Sequence, residues 1–171
     1  MKTRIQGLTL LVFSFCFLVF FSACQKDTYV TPITDDSPTL PYGDLPTPDW
    51  SVNPDRDYSV SMTAVVDVDL TLTYPLDPEQ WQVAPGDRLG AFVGNPMTGE
   101  AECLGVATPS ENADNLFFLF IVPPQGTEDI TLWYYSEKLK NIFCADIAFP
   151  FMDGERQGTI DNPTIPQWTA Q

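Results

Sequence analysis

Apolar and polar residues alternate along the chain from Tyr58 to Tyr74. The even positions are apolar and the odd positions are mostly Ser, Thr or Asp. A period of two is typical of a strand with one face in the core and the other in solvent. The run is longer than a usual strand of about 3–10 residues, so we expect a bend or bulge near residues 67–69.

A β-hairpin is predicted for Gly86–Ala107. Two short apolar runs, Leu89–Val93 and Ala101–Val106, are joined by the turn-forming loop Asn95–Gly99. Asn, Pro and Gly provide the backbone conformations that such turns require. We expect the rest of the domain to pack around this pair.

Three further apolar runs follow the hairpin: Leu116–Val122, Ile130–Ser136 and Ile142–Phe151, with turn residues between them. No helical period is present after the N-terminal segment. The pattern predicts an all-β antiparallel β-sandwich, immunoglobulin-like or jelly-roll-like, with about six to eight strands. If 116–122 pairs beside 130–136, their second faces form one outer apolar surface.

The N-terminal segment, residues 1–23, combines Lys2 and Arg4 with the apolar run 8–21 and small residues before Cys24. This predicts a secretory signal peptide, with a permanent membrane anchor as the alternative. Phe21-Ser22-Ala23-Cys24 resembles the lipobox of bacterial lipoproteins. That resemblance implies that Cys24 is diacylated, becomes the first mature residue and anchors the protein in the outer membrane.

A proline-rich stretch, residues 24–49, follows the signal and is interpreted as the lipidated cysteine with its linker. Apolar residues resume at Trp50, so we expect the β-sandwich domain to span residues 50–171. Without residues 1–23 the chain has 6 basic and 23 acidic residues, a formal charge of −17. This charge disfavours nucleic acid as a partner and leaves the lipid to hold the membrane.

Cys103 and Cys144 are the two cysteines that lie in neither the signal nor the lipobox. Disulfides persist in exported proteins, so the pair could form a bridge. The alternative is two buried thiols that pack as small apolar groups.

Histidine is absent from the chain. This excludes Ser-His-Asp and Cys-His catalysis and removes the commonest zinc ligand. No phosphate-binding or dinucleotide-binding motif is present, and Asn53–Asp57 fails the calcium-loop pattern because Tyr58 and Ala64 occupy its glycine and glutamate positions. We therefore expect no catalytic residue, no cofactor and no metal, with a glycosidase-like carboxylate pair as a remote alternative.

Aromatic residues in Ile130–Ser136 suggest a binding surface. Alternation places Trp133 and Tyr135 on one face of the strand and the core residues on the other. If exposed, the two rings form a platform for a sugar or a partner protein. The alternative is that 160–168 or the region of Trp50 covers them.

Several segments, taken in order, resemble a β module of Bacteroidetes surface lipoproteins and secreted multidomain proteins: 58–66, 87–94, 101–107, 116–121, 130–136 and 158–165. The hairpin resembles the module's "AFVG-x-ECRGVA" motif, and Gly158–Ile165 resembles its "GT-x-DNP" close. The chain departs from the module's pattern in two places. The hairpin loop is longer by Asn95–Gly99, and Leu104 stands where a basic residue is frequent. The resemblance implies a β fold at the cell surface and no established activity.

Together these features favour a non-enzymatic, lipid-anchored cell-surface module that binds a glycan or a protein partner. A second hypothesis is a structural accessory or spacer of an outer-membrane or secreted complex. A glycosidase-like enzyme is the third.

Replacing Cys24 with Ala should move the protein from the membrane fraction to the soluble fraction, because the acyl chains would have no attachment site. Fractionation followed by immunoblotting measures this, with Cys103→Ala as the control that stays in the membrane. Retention of the Cys24→Ala variant in the membrane would contradict the lipid anchor.

Overall fold

The computed structural model describes residues 41–77, 81–111, 115–124, 126–127 and 129–171. In these ranges the chain is all-β, with one short 3₁₀ turn, η1, at Leu70–Leu72. The described helices include none that is long and apolar enough to cross a bilayer. The strands are β1 (Met62–Asp67), β2 (Arg88–Val93), β3 (Glu102–Ala107), β4 (Leu116–Ile121), β5 (Asp129–Ser136), β6 (Asn141–Pro150), β7 (Arg156–Gln157) and β8 (Trp168–Ala170).

The strands form two sheets that pack as a β-sandwich, which confirms the predicted fold class. The three-stranded sheet has the order β4-β1-β7, and the five-stranded sheet has the order β3-β2-β5-β6-β8. All strand pairs are antiparallel except β1 with β7, which is parallel. The antiparallel β-sandwich expected from the sequence is therefore confirmed, with one short parallel pair at the edge of the smaller sheet.

The long strand expected from Tyr58 to Tyr74 is shorter in the structure, although its alternation is confirmed by burial. Buried apolar residues occur at every second position from Met62 to Leu70. β1 nevertheless ends at Asp67, and η1 follows at once. Asp69 Oδ1 accepts hydrogen bonds from Thr71 N at 2.8 Å and from Thr71 Oγ1 at 2.6 Å, a local alternative to the strand ladder that turns the chain.

The predicted hairpin is confirmed as the pair β2 and β3. Gly94 has a φ of +82°, a conformation that costs little only for glycine, and Asn95 Oδ1 accepts from Met97 N at 2.8 Å to close the loop. Gly105 lies against the backbone carbonyl of Phe120, where a side chain would clash. The close approach of β3 to β4 joins the two sheets along one side of the sandwich.

The main core lies between the sheets and is built from the inward positions of both. Tyr134 is central to it, because its ring contacts those of Phe117, Phe143 and Trp168 with centroid separations of 5.7–6.0 Å. Aromatic pairs at such separations add to the stability gained from burial. One continuous apolar cluster therefore connects β4, β5, β6 and β8.

The strand β4 pairs with β1 and not beside β5, so the outer surface expected to combine 116–122 with 130–136 does not exist. Phe117, Leu119 and Ile121 enter the main core. Phe118 and Phe120 instead lie on the outer face of the three-stranded sheet and are 45% and 48% exposed.

A buried carboxylate, Asp87, fastens two turns to the core. It accepts hydrogen bonds from Ala84 N at 2.9 Å, from Glu137 N at 2.7 Å and from the hydroxyl of Tyr134. Burial raises the pKa of Asp87 above 3.8 despite these three donors, and burial together with Asp87 raises the pKa of Tyr134 well above 10.

Replacing Asp87 with Asn should lower the free energy of unfolding by about 1–3 kcal/mol, because one amide oxygen cannot serve three donors. Since the pKa of folded Asp87 is above its usual value of 3.8, folding takes up a proton between these two pH values. The stabilising effect of Asp87 is therefore largest at low pH and falls as pH rises through the folded-state pKa.

Urea unfolding of the wild type and Asp87→Asn at several pH values measures this difference, with exposed Asp129→Asn as the control. The advantage of the wild type over Asp87→Asn should grow toward pH 3.8. An advantage that grows as pH rises would contradict the assignment.

Candidate functional site

The aromatic platform predicted at Trp133 and Tyr135 is not exposed. Both side chains lie on the outer face of the five-stranded sheet, as alternation predicted, but each is only 1% exposed. Leu45 and Trp50 pack over them, and the Trp50 ring meets Phe92 edge-on with centroids 5.2 Å apart. The platform interpretation is wrong, and the alternative that the region of Trp50 covers this face is confirmed.

The covering segment, residues 41–50, is here called the strap. Gly43 N donates to Leu139 O and Leu45 N donates to Lys140 O, both at 2.9 Å. The side-chain amide of Asn141 donates to Pro41 O at 3.0 Å, and the Tyr135 hydroxyl donates to Leu45 O at 3.3 Å. The folded domain therefore includes the strap and does not begin at Trp50.

The bridge considered between Cys103 and Cys144 is absent. Cys103 is a free cysteine on β3, whereas Cys144 is on β6, and β2 and β5 lie between them in the sheet. Three strand spacings separate them by about 14 Å. A disulfide requires Cα atoms within about 7 Å, so the sheet order forbids this pairing. Burial raises the pKa of the Cys103 thiol, so it is not an activated nucleophile.

A cleft of about 530 Å³ lies at the end of β1 and the start of β4. This volume is in the range of small-molecule sites. The cleft joins segments that are distant in sequence. Its described lining consists of Asp69, Thr71, Trp81, Gln82, Val83, Pro109, Ser110 and Asn115.

The lining of the cleft combines an apolar wall with hydrogen-bonding groups of several kinds. Trp81, Val83 and Pro109 form the wall, while carboxylate, amide and hydroxyl side chains supply donors and acceptors. The described lining contains no Lys or Arg. The cleft is thus suited to a ligand with neutral polar groups more than to a phosphate or a carboxylate.

Two buried polar atoms lie at or beside the cleft without a hydrogen-bond partner. Trp81, which lines the cleft, is 3% exposed, and its indole Nε1 has no acceptor. Asp67 Oδ1, at the end of β1, has no donor. Burial and then the charge of Asp69 raise the pKa of Asp67. A buried polar atom without a hydrogen-bond partner costs free energy of folding. Ligand-binding sites are among the places where such atoms occur in native proteins.

Sequence reasoning missed this cleft. Asp69 lies where the alternation predicts only a bend, and Trp81 lies in residues 75–86, a connection rich in turn-forming proline, aspartate and glycine. A tryptophan within such a connection was the available signal, because loops rarely bury a large aromatic ring unless it packs on the core.

Several predictions are not addressed by the described residues. The signal peptide, Cys24 and most of the linker lie outside them. Within the described ranges, no group of three or more Cys, Asp or Glu side chains is placed to hold a metal ion. The turn Asn53–Asp57 instead uses its oxygens locally, since Asn53 Oδ1 accepts from Asp55 N and Asp57 Oδ1 accepts from Ser59 N.

The fold and the cleft define an all-β sandwich with a polar cleft at one end. Comparisons with protein-family models, curated proteins and solved structures gave no match. The functional interpretation therefore depends on the geometry and chemistry of the molecule itself.

Replacing Trp50 with Ala should lower the free energy of unfolding by about 2 kcal/mol, because a half-buried indole leaves a gap over Phe92. The same change should make the remaining tryptophans, all buried in the wild type, more accessible to acrylamide quenching. Tyr42→Ala is the matched control, since Tyr42 is in the strap but is 60% exposed. Equal effects of the two substitutions would contradict the covering role of Trp50.

Proposed function

We propose that this protein is a non-enzymatic, lipid-anchored surface module that binds a short glycan in the cleft. The observation that carries the proposal is the lining, which sets an apolar wall that includes Val83 and Pro109 beside the Asp69 carboxylate and the Gln82 and Asn115 amides. Sugars present an apolar ring face and many hydroxyls, so they need an apolar wall together with both donors and acceptors.

Charge narrows the class of glycan. Asp69 is in the cleft wall, the described lining has no basic residue, and the chain without residues 1–23 has a formal charge of −17. Phosphorylated, sulfated or uronic-acid ligands would be repelled. A neutral sugar or an amino sugar is favoured.

The lipid anchor supports a function outside the cell. Under this proposal Cys24 holds the chain in the outer membrane, and residues 25–40 lead to the strap. The module would then sample ligands close to the membrane surface.

An enzymatic alternative depends on Asp67 and Asp69. A glycosidase uses two carboxyl groups, one of them with a raised pKa, and the pKa of Asp67 is raised. Asp67, however, is not part of the described cleft lining, and Asp69 Oδ1 is engaged by Thr71. This arrangement favours binding over hydrolysis.

A structural accessory or spacer remains a second candidate, favoured by the outer face of the three-stranded sheet. Phe118 and Phe120 are exposed there, and the Tyr58 ring stacks on Phe120 with centroids 6.4 Å apart. Neighbouring exposed aromatic rings are typical of protein contact surfaces.

The glycan proposal is tested with an array of neutral and amino-sugar oligosaccharides, followed by calorimetry on any ligand found. Asp69→Asn keeps an oxygen for Thr71 but loses the charge, and it should weaken binding about tenfold or more. Asp146→Asn is the matched control, because Asp146 Oδ1 accepts a backbone hydrogen bond from Gln167 N at 2.9 Å away from the cleft.

A second pair of variants tests the wall of the cleft. Trp81→Phe should weaken binding, whereas Trp168→Phe should not, although both remove a buried indole nitrogen that lacks a partner. Absence of any ligand on the array would refute the proposal, as would equal binding by Asp69→Asn and Asp146→Asn. Hydrolysis of a bound oligosaccharide, lost in Asp67→Asn, would establish the enzymatic alternative instead.

A further inference from the structure

A second binding site is indicated at the opposite end of β1, around Arg56. The turn that contains Arg56 is closed by a hydrogen bond from Arg56 N to Asn53 O at 3.3 Å. The Arg56 side chain is only 6% exposed, and its Nη2 forms an ion pair with the Glu102 carboxylate on β3. The turn is thereby fixed to the five-stranded sheet.

The other end of the guanidinium is unsatisfied. Arg56 Nη1 is buried and has no hydrogen-bond partner. Arginine keeps its charge at all physiological pH values, so this group cannot reduce the cost of burial by losing a proton. A buried guanidinium nitrogen without an acceptor is unusual in a native protein and calls for a partner that supplies an oxygen.

Arg56 forms part of the wall of a recess of about 330 Å³, separate from the cleft. The recess also has an apolar side made by Val60 and Pro123. Its volume exceeds that of a single amino-acid residue. The recess is therefore large enough to hold a small group beside the Arg56 side chain.

The charge around the recess restricts that group. Three carboxylates, those of Asp55, Asp57 and Glu102, share the wall with the single guanidinium. The local charge is therefore negative, and a simple anion would be repelled. A ligand that carries an ammonium group beside its acceptor oxygen meets both requirements.

We propose that the Arg56 recess binds an ammonium group adjacent to a carbonyl oxygen, with the oxygen accepting from Arg56 and the ammonium donating to Asp55 and Asp57. This chemistry occurs in free α-amino acids and at the amino terminus of a peptide. This site is separate from the glycan cleft, and the two proposals are tested by separate experiments.

Four small probes test the proposal by NMR titration of the full folded domain. Glycine represents a free amino acid, and glycinamide represents a peptide amino terminus. N-acetylglycine lacks the ammonium, and ethylamine lacks the carbonyl. Glycine, glycinamide or both should bind, and the other two should bind about tenfold more weakly or not at all.

The two binding probes distinguish the source of the ligand. Tighter binding of glycinamide assigns the site to peptide amino termini, and tighter binding of glycine assigns it to amino acids. Equal binding of N-acetylglycine or ethylamine would overturn the proposal, as would no binding of any probe at millimolar concentration.

Variants locate the effect. Arg56→Gln should abolish probe binding, whereas Arg156→Gln, a change at an exposed arginine on β7, should not. Since Arg56→Gln removes a buried ion pair, a double Asp55→Asn, Asp57→Asn variant tests the ammonium side without disturbing the guanidinium. Asp44→Asn with Asp129→Asn matches its change in charge. Unchanged binding in Arg56→Gln or in the Asp55, Asp57 variant would refute the site.

Discussion

Burial of both faces of the five-stranded sheet is the constraint on which the rest of this structure depends. One face packs against the three-stranded sheet, and the other carries Phe92, Trp133 and Tyr135, which are too large and apolar to remain in water. A two-layer sandwich has no third layer to cover that face. The strap does so, with backbone hydrogen bonds to Leu139 and Lys140 that compensate its own polar groups.

The strap is held by hydrogen bonds to Leu139 and Lys140, which lie in the turn between β5 and β6. That turn is fixed by Asp87, whose carboxylate accepts from Glu137 N and from the Tyr134 hydroxyl in the main core. A single buried acid thus connects the inner core, the turn and the cover of the outer face. Burying this carboxylate costs free energy, and the same burial raises the pKa of Asp87.

Both faces of the five-stranded sheet are covered, and the cleft and the Arg56 recess lie at the ends of the sandwich. The antiparallel pair β1 and β4 runs from Met62 opposite Ile121 at one end to Asp67 opposite Leu116 at the other. The polar cleft lies beyond the second end, and the Arg56 recess lies beyond the first. Loops at sheet ends can carry polar and charged side chains without exposing the core, because the side chains of these loops are not required for packing.

The alternation of residues alone determined the all-β class, the β2–β3 hairpin and the separation of core and outer residues on β5. These are local properties, because the two-residue period of a strand fixes which side chains share a face. Tertiary structure decided that β4 joins β1, that Cys103 and Cys144 are too far apart to pair, and that the strap buries Trp133. It also assembled the cleft from Asp69, Trp81 and Asn115. The order of the strands and the covering of the outer sheet face by the strap depend on contacts between distant segments. A periodic pattern does not encode such contacts.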